Sequence, residues 1–158
     1  MQTRPIGEKM GTKRSVLTEG HGLPLAVVIA GANVHDVKLL EKTLSGIVVF
    51  RPIPTEENPQ NLCLDAGYTG YYDAVVAHGY IPHIRPRGEE KQEIEHNPDF
   101  KARRWVVEVA HSFTNRFRKL LVRFEKKDSN YLALLAFAFA IIVWRNLIPA
   151  HHGMLIVG

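Results

Sequence analysis

Arg103-Arg104-Trp105-Val106-Val107-Glu108-Val109-Ala110-His111-Ser112-Phe113-Thr114-Asn115-Arg116-Phe117-Arg118-Lys119-Leu120-Leu121-Val122-Arg123-Phe124 is the stretch on which the chain turns. Its apolar residues recur at Val106, Val109/Ala110, Phe113, Phe117, Leu120/Leu121 and Phe124, the spacing of an amphipathic helix. The opposite stripe runs Arg104, Glu108, His111, Asn115, Arg118, so one acid stands among basic and amide groups. Between Lys101 and Lys127 there are nine Lys/Arg against two acids, Glu108 and Glu125, a local net of +7. Taken alone, such a stripe is a solvated face in which Arg104 pairs with Glu108 for about 0.2–0.5 kcal/mol. The remainder of the chain tips the reading toward a helix that meets an anion.

The bulk composition is that of one soluble globular domain. There are 158 residues, 46% apolar and 23% charged, enough to bury a substantial core. A net charge of +4 and a pI of about 9.3 favour an anionic partner such as nucleic acid. Cys63 is the single cysteine and lies in an apolar run, which excludes a disulfide framework and a cysteine zinc site. It reads as an inert core residue in a reducing, cytoplasmic protein. Met1 to Lys13 lacks the apolar core of a signal peptide. Tyr131 to Trp144 carries no charge, but it falls short of the roughly 20 residues of a membrane span and reads as a buried helix. No membrane is expected.

Outward from these helices, the chain divides into a loose N-terminus (1–10), a domain (11–148) and a tail (149–158). Thr12 to Thr18 and Leu23 to Ala30 predict two strands joined by the tight turn Glu19-Gly20-His21-Gly22. Pro24 fits only the start or the edge of a strand. His35 to Leu44 has helical spacing, and the three prolines between Arg51 and Gln60 mark a surface loop. Asn61 to Asp65 reads as a short buried strand ending in an acid. Tyr72 to His78 predicts a helix closed by Gly79, and Ile81 to Ile84 a last strand. Glu89 to Asp99, with five acids and one lysine, is a linker. The order β-β-α-β-α-β-α-α indicates an α/β layer fold built on a mixed sheet.

Asp65 at a strand end and Glu108 on a packed helix are the kind of hard oxygen donors that hold Mg²⁺ or Mn²⁺ for phosphodiester chemistry. The plainer role for Asp65 is an Asx-turn or an N-cap. Tyr68, Tyr71 and Tyr72 read as packing residues, with stacking on unpaired bases as their functional alternative. His151-His152 reads as a solvated pair in the tail.

Six segments carry a resemblance, in order and spacing: Gly11-Thr12-Lys13-Arg14, Gly22-Leu23-Pro24-Leu25-Ala26, Gly31-Ala32-Asn33-Val34-His35-Asp36, Leu64-Asp65-Ala66-Gly67-Tyr68, Trp105-Val106-Val107-Glu108 and Asn115-Arg116-Phe117-Arg118. Together, from about Gly11 to Ile148, they resemble the catalytic domain of bacterial insertion-sequence transposases of the DDE type. The resemblance implies a ribonuclease-H-like fold and DNA transposition by metal-dependent cleavage and strand transfer with two Mg²⁺ or Mn²⁺ ions. It places the second catalytic Asp on Asp65 and the catalytic Glu on Glu108, both as metal ligands. It also matches Arg104 to the Arg four residues before that Glu. Arg104, Asn115, Arg116, Arg118, Lys119 and Arg123 become the expected contacts to transposon-end DNA. Many relatives carry a Lys where this chain has Asn115.

Nothing before Gly11 supplies the family's first strand or its catalytic Asp, and Asp36 is assigned no metal role. The expectation is the C-terminal part of a transposase, from a split gene or a remnant, that lacks its first strand. Such a chain is expected to self-associate and to need an upstream-frame segment for cleavage. The alternative is a non-catalytic DNA-binding or self-associating remnant.

Overall fold

Two strands set the frame. β1 (Thr12–Thr18) and β2 (Pro24–Gly31) pair antiparallel, with Val16 opposite Val27 and Leu17 opposite Ala26. The computed structural model describes residues 11–84, 96 and 105–147. The register shifts between Leu17 and Thr18, so that Thr18 faces Pro24 at the start of β2, where a missing N–H is tolerated. The turn is held by Glu19, whose Oε1 accepts the amides of His21 (2.7 Å) and Leu23 (2.9 Å). Burial pushes the Glu19 carboxyl up, but these two amides and the His21 ring bring its pKa below the ordinary value. Gly22 has φ 91°, and a Cβ there would stand 3.2 Å from the Val106 carbonyl. Glycine therefore closes the hairpin and lets a helix approach it.

Side chains on a strand alternate, so the hairpin serves two cores. Lys13, Ser15 and Leu17 face one side. There Thr43 Oγ1 donates to Ser15 Oγ (2.8 Å), and Leu17 packs against Leu40, Leu44, Leu62 and Val75. Thr12, Arg14 and Val16 share the other face with Val27 and Ile29, which pack against Leu120, Tyr131, Leu135 and Ala138. The predicted helix after the hairpin forms as a 3-10 turn (Asp36–Leu39) that runs into α1 (Leu40–Ser45).

β3 (Asn61–Leu64), α2 (Tyr72–Ala77) and β4 (Ile81–Ile84) make a parallel crossover unit, with Leu62 opposite Pro82 and Leu64 opposite Ile84. Gly79, with φ 76°, ends α2 as predicted. Arg51 straps the preceding loop to this end. It donates to the carbonyls of His78 (2.7 Å) and Gly79 (3.3 Å), and its guanidinium lies 3.7 Å from the Tyr80 ring.

Two expectations need correction here. Among the described residues there is no single mixed sheet: β1–β2 and β3–β4 are separate two-stranded sheets, because no described strand bridges β1 and β3. Cys63 is exposed rather than buried. It stands opposite His83, also exposed, on the face of β3–β4 away from Leu62 and Leu64, so β3 buries one face only.

The stretch expected as one helix is broken into α3 (Trp105–Asn115) and α4 (Arg118–Leu121), with Phe117 extended between them. The break turns Leu120 into the second core, where the Tyr131 hydroxyl donates to the Leu120 carbonyl at 3.3 Å. α5 (Asp128–Leu147) is longer than its uncharged centre suggested. Among the described residues it is the one helix long and apolar enough to cross a membrane. In this fold it buries Tyr131, Leu135, Ala138, Phe139 and Ile142. The linker 89–99, apart from His96, and the tail lie outside the described residues, as does the N-terminus 1–10.

Candidate functional site

Asp65 follows β3 directly and caps the short 3-10 turn Ala66–Tyr68. Its Oδ1 accepts the Gly67 amide at 2.7 Å, the Asx-turn role, and its carboxylate remains exposed. A Cβ at position 67 would come within 2.9 Å of that oxygen, so glycine permits the turn. Tyr68 packs half-buried against the first core. Burial, then the charges of Asp36 and Asp65, push its hydroxyl up to about 12. The phenol therefore keeps its proton. Asp36 in turn pairs with Lys13 Nζ at 3.1 Å, and Lys13 also donates to the Val34 carbonyl at 2.9 Å.

The carboxylate brought near Asp65 is thus Asp36, to which the sequence assigned no metal role. The alternation of β1, which sends Lys13 toward the 3-10 turn after β2, was the signal that relates them. Tyr71 and Tyr72 are part-exposed at the start of α2, and the Tyr72 hydroxyl donates to the Ile84 carbonyl at 3.3 Å.

Glu108 lies in the first turn of α3, where the helix dipole favours an anion. Val106, Ala110 and Thr114 form the buried stripe of that helix, which turns Glu108 outward. It makes no hydrogen bond or ion pair with another described residue. Val106 and Val109, on either side of it, pack at Gly22, the turn end of the hairpin. Asp65 lies toward the opposite end, with Asp36 and Lys13.

As a fit for divalent metal, Asp65 offers hard oxygen at one corner. Among the described residues, however, no group of three or more His, Cys, Asp or Glu is arranged to hold an ion.

The expected DNA contacts divide differently. Asn115, Arg116, Arg118 and Lys119 are exposed at the junction of α3 and α4. Arg116 lies 5.2 Å from the Phe113 ring. Arg123 is tied into the fold: it donates to the Glu125 carbonyl at 2.8 Å, bonds Thr12 Oγ1 and Asp128 Oδ1, and sits over Tyr131. That side chain fastens β1 to the start of α5, with four of its five N–H donors engaged inside the fold. Arg104 lies outside the described residues.

Residues 4–143 match the family described as the transposase DDE domain. The chain is also 31% identical over 150 residues to a protein of Burkholderia cepacia assigned as a transposase for insertion sequence element IS402. That match covers 91% of this chain and 68% of the relative. No solved structure gives a significant match. With most of its length inside one family, and a curated relative matched over two thirds of that relative's own length, the chain belongs to the DDE transposase domain family of insertion-sequence elements.

Proposed function

We propose that this chain serves DNA transposition through a ribonuclease-H-like catalytic core, with Asp65 and Glu108 as metal-binding carboxylates and the α3–α4 junction against the DNA ends. DDE transposases as a family use divalent metal ions, which supply Lewis-acid activation of the attacking water or hydroxyl. The residues of this chain orient the DNA backbone and offer the carboxylates. The work is done in the cytoplasm, in an assembly of more than one copy.

One observation carries the finer reading, the split sheet. Leu17 and Thr18 at the end of β1 share a cleft of about 370 Å³ with Asn61 and Leu62 at the start of β3. At the other end, Lys13 and Asp36 approach Tyr68 and Asp65. β1 and β3 therefore run side by side in opposite directions without a shared hydrogen bond. A strand laid between them, parallel to β3 and antiparallel to β1, satisfies both edges at once. Its C-terminal end falls beside Asp65, the place for a further carboxylate. Such a strand comes from outside the described residues, on this chain or on a separate upstream-frame segment.

The test is Mg²⁺-dependent nicking of a DNA carrying the element's ends, with and without an added segment whose strand ends in Asp. Cleavage is expected only for the completed protein, and Asp65→Asn or Glu108→Gln should abolish it. Cleavage that survives Asp65→Asn would overturn the assignment. The absence, among the described residues, of a group of three or more His, Cys, Asp or Glu that could hold an ion favours a second reading, DNA binding without cleavage. That reading predicts salt-dependent binding and no nicking in either form.

A further inference from the structure

We propose that Arg14 is the positioning residue of the DNA-binding pole: it turns the Asn115 carboxamide so that both amide N–H bonds face a backbone phosphate. The inference rests on the DNA reading above and names a residue outside the α3–α4 segment.

Arg14 stands on the β1 face that looks toward α3, and its Nη2 donates to Asn115 Oδ1 at 3.0 Å. A guanidinium has donors only, so the carboxamide must present its oxygen to it. The Asn115 Nδ2 group then points away from Arg14, at an exposed helix end beside Arg116 and Arg118. A cation on the amide oxygen also polarises its N–H bonds and makes them better donors to an anion. The carbonyl end of a helix by itself repels phosphate. This end is made receptive by the cation behind it and the exposed basic residues after it.

The state of Arg14 points the same way. No carboxylate among the described residues pairs with it, and its Nη1 is buried without a hydrogen-bond partner. A half-buried cation with no counter-charge among the described residues favours an anion bound nearby. The neighbouring His111 does not supply the charge instead, since burial, and then Arg14 itself, hold its imidazole toward the neutral form. The ligand this arrangement fits is a phosphodiester oxygen of DNA, with the amide as the contact and the guanidinium as its support.

The test uses the full chain and a mixed-sequence duplex, titrated by fluorescence anisotropy at several salt concentrations. Asn115→Asp keeps the shape and keeps Arg14 engaged, as an ion pair, while it removes both donors. It should bind DNA about tenfold more weakly and melt no lower than the parent. Arg14→Gln should weaken binding as well, and Asn115→Ala should then add nothing in the Arg14→Gln background. Losses that instead multiply would make Arg14 a fold residue only and overturn its role. Unchanged DNA affinity in Asn115→Asp would overturn the inference outright. Inorganic phosphate should compete poorly, and competition at low phosphate would point to a free-anion site and against the DNA assignment. Arg116→Ala with Arg118→Ala separates the two levels: it should flatten the salt slope by about one unit per lost contact. If it does so while Asn115→Asp has no effect, the DNA reading stands without this inference. If no form binds DNA, both fall.

Discussion

Leu135 and Phe137 sit two residues apart on α5 and test what that helix is for. Leu135 is 0% exposed, enclosed by Leu120, Tyr131 and Ala138 with Val27 and Ile29 beneath, whereas Phe137 is 67% exposed. Leu135→Ala removes buried methyl groups and leaves a cavity, at a cost of about 2–5 kcal/mol. In a chain of this size each kcal/mol moves the melting temperature by about 2–4 °C, so a mid-range loss of about 3 kcal/mol lowers it by about 6–12 °C. Phe137→Glu changes a solvated position and should stay within about 0.5 kcal/mol. In a lipid-embedded helix the order reverses, because a charge in a lipid-facing span costs about 2.5–3.5 kcal/mol while Leu→Ala costs little. Thermal melts followed by circular dichroism, without detergent, distinguish the two. A Phe137→Glu protein that melts lower than Leu135→Ala would refute the core-helix assignment.

Two further predictions concern charge. Glu19→Gln removes the ionised acceptor of the hairpin turn and should cost about 1 kcal/mol near neutral pH. Because the folded Glu19 pKa is lowered, its contribution is present above the ordinary carboxylate pKa and lost as pH falls through the folded value. Urea melts of Glu19→Gln across the acid range should therefore fall less steeply than the parent's. His111 shifts in the same direction from a different cause, burial: its folded pKa is lowered, so below its ordinary value of 6.5 the unfolded chain takes up the proton more readily. Stability should drop as pH falls from there toward the folded value, and His111→Gln should remove that drop. An unchanged pH profile in His111→Gln would show the ring to be solvated.

The hairpin, α2 with its Gly79 stop, and the helical run of α5 were legible because each rests on local chemistry. Period-2 alternation, a positive-φ glycine and a continuous apolar run are each read from neighbouring residues. The break at Phe117 was not legible. The apolar stripe continues through Phe117 and Leu120 on the same side, and the contacts that accompany the turned arrangement, the Tyr131 hydroxyl on the Leu120 carbonyl and the packing of Leu120 with Leu135 and Ala138, come from eleven or more residues on. Cys63 was misread for a related reason. An apolar tetrad looks alike whether it is covered on one face or on two, and the covering layer is decided by tertiary packing. Of the candidate site, Asp65 and the exposed basic junction were readable one residue at a time. The pairing of Asp36 with Lys13, the support of Asn115 by Arg14 and the internal use of Arg123 join residues 23, 101 and 111 positions apart (36 to 13, 115 to 14, 123 to 12). No periodicity reaches that far.

The gap between β1 and β3 also has a consequence for how the molecule breathes. Among the described residues no backbone ladder joins the two sheets, so amides on their facing edges are expected to exchange with solvent at rates set by local accessibility. The hairpin with α3–α5 and the β3–α2–β4 unit are then expected to open as separate foldons, joined among the described residues by side chains such as Leu17 and Leu62 rather than by a shared ladder. Laying a strand between them would fuse two opening events into one. Protection would appear simultaneously on β1 and β3, and the carboxylate of Asp65 would become part of the most slowly exchanging region of the protein.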